Sequence, residues 1–406
     1  MTDIDTSETL KHLLLDMMST TRPVEASRTE GLGGAEWDVI CRMAEQHRLD
    51  PILHHYSQNR GSHWAVPDGV RAKWAQSFRQ SALCSLLISK TLLKIDKILN
   101  KSAYNYAALK GAWLTQKAYP HPALRPMRDV DIIVSPEHVL TVFTLLESEG
   151  FVLSPEYVRP NARSQAQAKH LSPLYDEQTG ISVEVHCRLV DHADGDAVAL
   201  NQIEGLLKRS IRADGVNYLN PTDTLLHLMV HTVYDHQFNN GPLTFNDIAV
   251  AVASSDIEWD RFWTMAKTGG WTRGCELLFA IVGDYHELEF QACEACSTQF
   301  APTQLESAKL LTLQEFDQRG LIAFRGAINS SNTIWRLLSL LCKRAIPTRN
   351  ALASFSGLSG APIWVFIYYP QWLYVNANKM LFKSQPHTVD ADIKRSTILQ
   401  EMLHNA

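Results

Sequence analysis

Residues 107–134 read AALKGAWLTQKAYPHPALRPMRDVDIIV, and their centre is Arg128-Asp129-Val130-Asp131, followed at once by Ile132, Ile133 and Val134. An apolar, β-branched run behind an Asp-x-Asp pair predicts a short buried strand with two acids near its start. Side chains alternate along a strand, so Asp129 and Asp131 share one face, about 6.6–6.8 Å apart along the chain. That spacing suits one or two divalent cations held against a triphosphate. Two solvated acids at a strand end would give the same local pattern, so the neighbouring segments have to decide.

Upstream, Tyr104 to Leu109 is a short strand-like run ending in Lys110-Gly111, with a helix of about two turns through Trp113, Leu114 and Ala118 behind it. A glycine at a strand-to-helix junction lets backbone approach a phosphate, and a new helix start supplies amide donors. Lys110 adds a point charge. Downstream, Ser135 reads as a helix cap, Pro136 as a first helical residue and Gly150 as a stop, which predicts a helix over 136–149 packing Val139, Val142, Phe143 and Leu146 inward. Two strands, 168–176 and 181–189, are expected next, joined by a turn at Glu177-Gln178-Thr179-Gly180. The second alternates cleanly. Ile181, Val183, Val185, Cys187 and Leu189 form its apolar face, and Ser182, Glu184, His186 and Arg188 its polar one. It reads either as a solvent-facing edge strand or as the source of a third acid, with Glu184 beside Asp129 and Asp131 and with His186 and Arg188 in the same cleft.

The rest of the chain reads as helical, from residue 6 to about 100 and again from about 196 onward. Breaks fall at Thr21-Arg22-Pro23, Gly31-Leu32-Gly33-Gly34 and Val66-Pro67-Asp68-Gly69. Asn220-Pro221 opens a helix that carries His227, His231 and Asp235 at one-turn steps. His227-Leu228-Met229-Val230-His231 lacks the glutamate of a zinc-protease motif, so these residues are expected to be structural or to line a substrate pocket. Residues 361–376, APIWVFIYYPQWLYVN, are strongly apolar. They are shorter than the ~20 residues a spanning helix needs and contain Pro370, so a buried or interfacial helix is expected.

Composition narrows the class. The 406 residues are 45% hydrophobic and 20% charged, a globular balance long enough for two or three domains. A net charge of −5 carries no footprint of general DNA binding. The N-terminus is acidic where a secretory signal is basic. Seven scattered cysteines suggest reduced thiols in a cytoplasmic protein. Cys293 and Cys296 read as two helix thiols rather than half a zinc site.

In order, the segments resemble the DNA-polymerase-β-like nucleotidyltransferase superfamily and, within it, the bacterial nucleotidyltransferase family often labelled uncharacterised. The resemblance rests on Ala108-Leu109-Lys110-Gly111, on the tract from Tyr119-Pro120 through Arg128-Asp129-Val130-Asp131-Ile132-Ile133-Val134, on Glu184-Val185-His186, and on the leucine- and histidine-rich helix over 222–236. It covers residues 8–250, with a looser echo at Arg344-Ala345-Ile346-Pro347. It implies an α+β fold: a small mixed-sheet transferase core over 101–215, between helical regions at 1–100 and 216–406.

The implied reaction is transfer of a nucleoside monophosphate (NMP) from an NTP such as ATP to an acceptor that the sequence does not identify, with Mg²⁺ or Mn²⁺ as cofactor. The implied metal ligands and catalytic acids are Asp129, Asp131 and Glu184. Lys110, Gly111, Arg125 and Arg128 are implied at the nucleotide, while His186, Arg188 and His231 are the candidate substrate-pocket residues. Ala112 departs from the pattern, since many members carry a serine after this glycine. Two other readings stay open: a toxin-like enzyme acting on tRNA ends, and a helical scaffold with a vestigial core.

Overall fold

The computed structural model describes residues 3–155, 157–190, 198–288, 299–331, 347, 352, 355–356, 363–381 and 387–404. The Cys293/Cys296 pair, Cys342 and the tracts 344–346 and 357–360 lie outside them.

Five helices precede the sheet: α1 (Asp3–Met18), α2 (Ser27–Glu30), α3 (Gly34–Gln46), α4 (Asp50–Asn59) and α5 (Asp68–Lys101). The expected breaks fall at the boundaries between them, with Gly34 already opening α3 and Asp68 and Gly69 opening α5. With 34 residues, α5 is about 51 Å long at 1.5 Å per residue. It buries Trp74, Ile88, Leu92, Ile95 and Leu99 along one side.

Seven short strands then build one mixed sheet: β1 (Tyr106–Ala108), β2 (Asp129–Val134), β3 (Phe151–Leu153), β4 (Leu174–Asp176), β5 (Ser182–His186), β6 (Ile211–Ala213) and β7 (Val216–Tyr218), in the order β3-β4-β5-β2-β1-β7-β6. The pairs β2/β5 and β1/β7 are parallel and the others antiparallel. Between the strands lie α6 (Lys110–Trp113), which continues into a π-helical turn over Leu114–Ala118, then α7 (Val139–Ser148), α8 (Ala162–Gln167), α9 (Val198–Asn201) and α10 (Ile203–Lys208). After the sheet come α11 (Pro221–Val230) with a π-helical turn over His231–Asp235, α12 (Leu243–Ala253), α13 (Trp259–Thr268), α14 (Thr272–Tyr285), α15 (Pro302–Leu311), α16 (Arg319–Asn329), α17 (Tyr369–Leu381) and α18 (His387–His404). One contiguous apolar core runs from Leu10 in α1 through the sheet to Met402 in α18. The α+β class with long helical flanks is what the sequence led us to expect.

Two ionic ties, each with a buried carboxylate and a partly exposed cation, join α5 to the sheet. Asp96 accepts from Tyr106 Oη at 2.7 Å and from both terminal nitrogens of Arg212 at 2.9 Å. Lys94 donates to Asp176 at 2.6 Å.

Four local expectations need correction. The helix expected over 136–149 begins at Val139, because the Ser135 hydroxyl turns to Glu204 at 3.4 Å instead of capping, and His138 N–H closes a turn onto the Ser135 carbonyl at 2.9 Å. Its buried residues and its stop at Gly150, with φ of 85°, are as expected. The strand expected over 168–176 shrinks to Leu174–Asp176, since Pro173 offers no N–H to the ladder and His170 makes only an isolated bridge to His186. The chain does not stay helical after 196: residues 211–218 form the β6–β7 hairpin, turned by Asp214 and Gly215 at φ of 48° and 80°. Finally, the buried or interfacial helix expected over 361–376 is α-helical only from Tyr369, in α17, because residues 363–368 form a 3₁₀ stretch; Val365 is buried, while Trp364, Ile367 and, in α17, Tyr374 are exposed. No helix among the described residues is long and apolar enough to cross a membrane, and Cys41, Cys84, Cys187 and Cys275 are free thiols.

Candidate active site

Val130 and Ile132 are wholly buried on one face of β2, so Asp129 and Asp131 face the other way. The parallel register with β5 pairs Asp131 with Glu184, Asp129 with Ser182 and Ile133 with His186. Asp131 and Glu184 therefore stand side by side on the same face. His186 joins them: its Nε2 lies 3.2 Å from Asp131 Oδ1 and 3.7 Å from Glu184 Oε2. His170 Nδ1 approaches Glu184 Oε2 at 3.3 Å. Ligating atoms of Asp131, Glu184 and His186 all fall within 4.8 Å of one another. Asp129 stands outside that group, at the exposed start of β2 and opposite a serine.

The charges of these acids are unevenly held. Asp129 reaches solvent at the cavity, but the protein packed around it costs its carboxylate hydration and pushes the carboxyl up, and the neighbouring Asp131 charge adds to the rise. Burial would raise Asp131 too, but His186, Lys110 and His170 outweigh it and hold this carboxyl well below the usual range. Glu184 is raised by burial and by Asp131, against the pull of His170 and His186. Asp131 is thus the acid whose negative charge its surroundings favour most.

Lys110 is fixed next to the acids because Leu109 N–H donates to the Asp131 carbonyl at 2.9 Å. Lys110 itself takes φ of 23°, an unusual conformation for a residue with a side chain. Burial brings its ammonium down to about 8, although Asp131 and Asp235 pull the other way. Lys110, Gly111, Arg125, Asp129, Asp131 and His231 all border a cavity of about 380 Å³.

Arg125 is anchored there by Asp247, which accepts from its Nε at 2.8 Å and its Nη2 at 3.0 Å and also takes the Tyr119 hydroxyl at 2.8 Å. This explains Gly111. A Cβ on it would lie 2.7 Å from Arg125 Nη1 and 3.2 Å from Met127 Cε, and the pinned guanidinium cannot swing away cheaply. Gly111→Ala is expected to lower unfolding free energy by about 1–3 kcal/mol, the usual cost of overpacking. Urea denaturation checks this, and a change below ~0.5 kcal/mol would show that the loop has room.

Arg128, Arg188 and His231 were expected at the same site. Arg128 is exposed and borders a neighbouring cavity with Cys84 and Lys73. Arg188 does not reach the cleft, because β5 ends at His186 and the alternation stops there. Its Nη2 instead donates to the carbonyls of Gln165, Ala166 and Ala168 at 3.3, 3.2 and 2.7 Å. His231 does reach the cavity; its Nδ1 lies 3.0 Å from Asp235 Oδ2, which also accepts from Lys169 at 2.8 Å. Burial and Lys110 bring His231 down to about 3, so it is neutral at ordinary pH. Among the described residues, Asp131, Glu184 and His186 are the one set of three or more His, Cys, Asp or Glu side chains with ligand atoms within 4.8 Å of each other, and His227, His231 and Asp235 do not form such a set. Ala112 is buried in the core. Sequence reading did not single out His170, Asp247, Arg48 or Arg319 for this site, and no local motif marks them.

The donor chemistry fits a divalent cation. Asp131 and Glu184 offer adjacent hard oxygens, Asp129 adds another on the same strand face, and His186 is placed to orient Asp131. A family model described as "Uncharacterised nucleotidyltransferase" matches residues 33–285, from the cap of α3 to the end of α14. No curated protein and no solved structure matches.

Proposed function

The chain belongs to the uncharacterised nucleotidyltransferase family and is a nucleotidyltransferase enzyme, and on that premise we propose that it transfers an NMP from an NTP to a hydroxyl or phosphate of a small molecule, a sugar or a modified peptide, using Mg²⁺ or Mn²⁺. The observation that best supports this reading is the parallel β2/β5 register, with Glu184 opposite Asp131, Asp129 on the same face and Lys110 stitched beside them.

Asp131, Glu184 and Asp129 would hold the cation, with His186 orienting the Asp131 carboxylate. Bound there, a divalent cation supplies charge neutralisation for the triphosphate and lowers the pKa of the attacking oxygen. Glu184, whose carboxyl is already raised by burial, takes the proton from the acceptor hydroxyl. Lys110 balances charge on the phosphates, and Gly111 keeps backbone close to them without a Cβ. Arg125 acts mainly as a strut, because Asp247 already neutralises it.

A melting-temperature screen of the four NTPs with Mg²⁺ or Mn²⁺ tests the reading. An NTP at about 100 times its Kd should add about 2.7 kcal/mol of apparent stability. α-Labelled nucleotide should then pass to an acceptor fraction. No stabilisation by any NTP with either cation would sink the proposal.

A further inference from the structure

The cavity that borders the acids is also lined by two arginines from distant parts of the chain. Arg48 follows α3, and Arg319 opens α16, beyond residue 285 where the family match ends. Both border the same cavity as Lys110, Asp129 and Asp131. Arg125 has its counterion in Asp247, but neither Arg48 nor Arg319 is within contact ion-pair distance of a carboxylate among the described residues; Asp129 acts on Arg48 only from farther off. Arg319 Nε and Nη2 are buried with no hydrogen-bond acceptor among them.

Both side chains spring from well-fixed positions. The Arg319 guanidinium lies on the Phe316 ring, 3.3 Å from its centroid, and Phe316 stands edge-on to His47 at 5.0 Å. Arg48, the next residue, takes a left-handed φ of 60° in a turn closed by Leu49 N–H to the Ala44 carbonyl at 2.7 Å. The two cations also feel each other: burial and then Arg48 bring Arg319 down to about 10. Arg48 is lowered by burial and by Arg128 and Arg125, with Asp129 opposing. Cations bordering one space without a contact ion pair are unfavourable alone and become favourable when a polyanion enters.

We propose that Arg48 and Arg319 form a clamp for the β- and γ-phosphates of the incoming NTP and for the pyrophosphate that departs, so that the C-terminal helical region completes the active site. The proposal rests on the nucleotidyltransferase reading. In the step it serves, a bond forms between the acceptor oxygen and the α-phosphorus. The bond from that phosphorus to the β-bridging oxygen breaks, and its electron pair leaves with pyrophosphate, whose charge the clamp receives. The acceptor proton goes to Glu184.

Calorimetry of the full chain with inorganic tripolyphosphate, which lacks a nucleoside, tests the clamp directly. Arg48→Gln and Arg319→Gln should each weaken binding about tenfold or more, as expected for losing a charge-assisted contact. Arg159→Gln, at an exposed pair with Glu147, should stay within twofold. If Arg319→Gln melts early, Arg319→Lys keeps the charge without the fork and should still bind several-fold more weakly than the wild type. Glutamine variants that melt like the wild type and bind tripolyphosphate within twofold of it would overturn the clamp, even if NMP transfer is observed. Binding that depends on both arginines, in a chain that transfers no NMP, would keep the clamp and count against the transferase mechanism.

Discussion

Asp131→Asn is expected to slow NMP transfer about thousandfold or more, equivalent to roughly 4 kcal/mol of transition-state stabilisation. Three features single out this acid. It sits between Glu184 across the strand pair and His186 at 3.2 Å, and its carbonyl anchors the Lys110 loop. Its charge is the most strongly favoured of the three acids, while Asp129 and Glu184 are both pushed toward protonation by burial, with Asp131 adding to each. The amide keeps the shape and the backbone bond to Leu109, so the protein should remain folded and should still bind nucleotide. Asp129→Asn should also reduce transfer, but less, because Asp129 stands outside the ligand cluster. Single-turnover rates with matched NTP occupancy make the comparison. A variant that binds NTP normally and transfers NMP at the wild-type rate would refute the assigned role.

Asp247→Ala should be the most damaging single change to stability near the site. Asp247 is buried, and one carboxylate serves both Arg125 and the Tyr119 hydroxyl. Its removal leaves a buried guanidinium uncompensated, which typically costs about 3–5 kcal/mol. The damage should extend to function, since Arg125 packs against Gly111 under the phosphate loop. Asp247→Asn retains an acceptor for Tyr119 but not the charge, so an intermediate loss is expected. Urea unfolding gives the numbers, and a loss under ~1 kcal/mol for alanine would show that the ion pair is dispensable.

Much of the site was legible in the sequence because it is written in short-range patterns. The period of two on β2 and on residues 181–189 correctly sorted Asp129, Asp131, Glu184 and His186 onto polar faces. The same logic failed at Arg188, where the strand ends two residues before it, three short of the expected end at Leu189, and the side chain turns to the carbonyls around Ala168. The β6–β7 hairpin was missed although Asp214-Gly215 is a strong turn signal, because three-residue strands are too short to show alternation. Ser135 looked like a cap, but its hydroxyl found a partner 69 positions away.

The chain by itself determined that two acids share one strand face, that a glycine loop precedes them, that a strand with a third acid follows, and that helices flank the core. Local periodicity and turn chemistry suffice for these, since each depends on residues a few positions apart. Only the tertiary structure decided which strand lies against β2, and hence that Asp131 rather than Asp129 faces Glu184 and His186. It also decided that Asp247 neutralises Arg125 from 122 residues away, and that Arg48 and Arg319 border one cavity. Strand register and charge pairing over such distances are set by how the whole core packs, and no window of sequence contains that information.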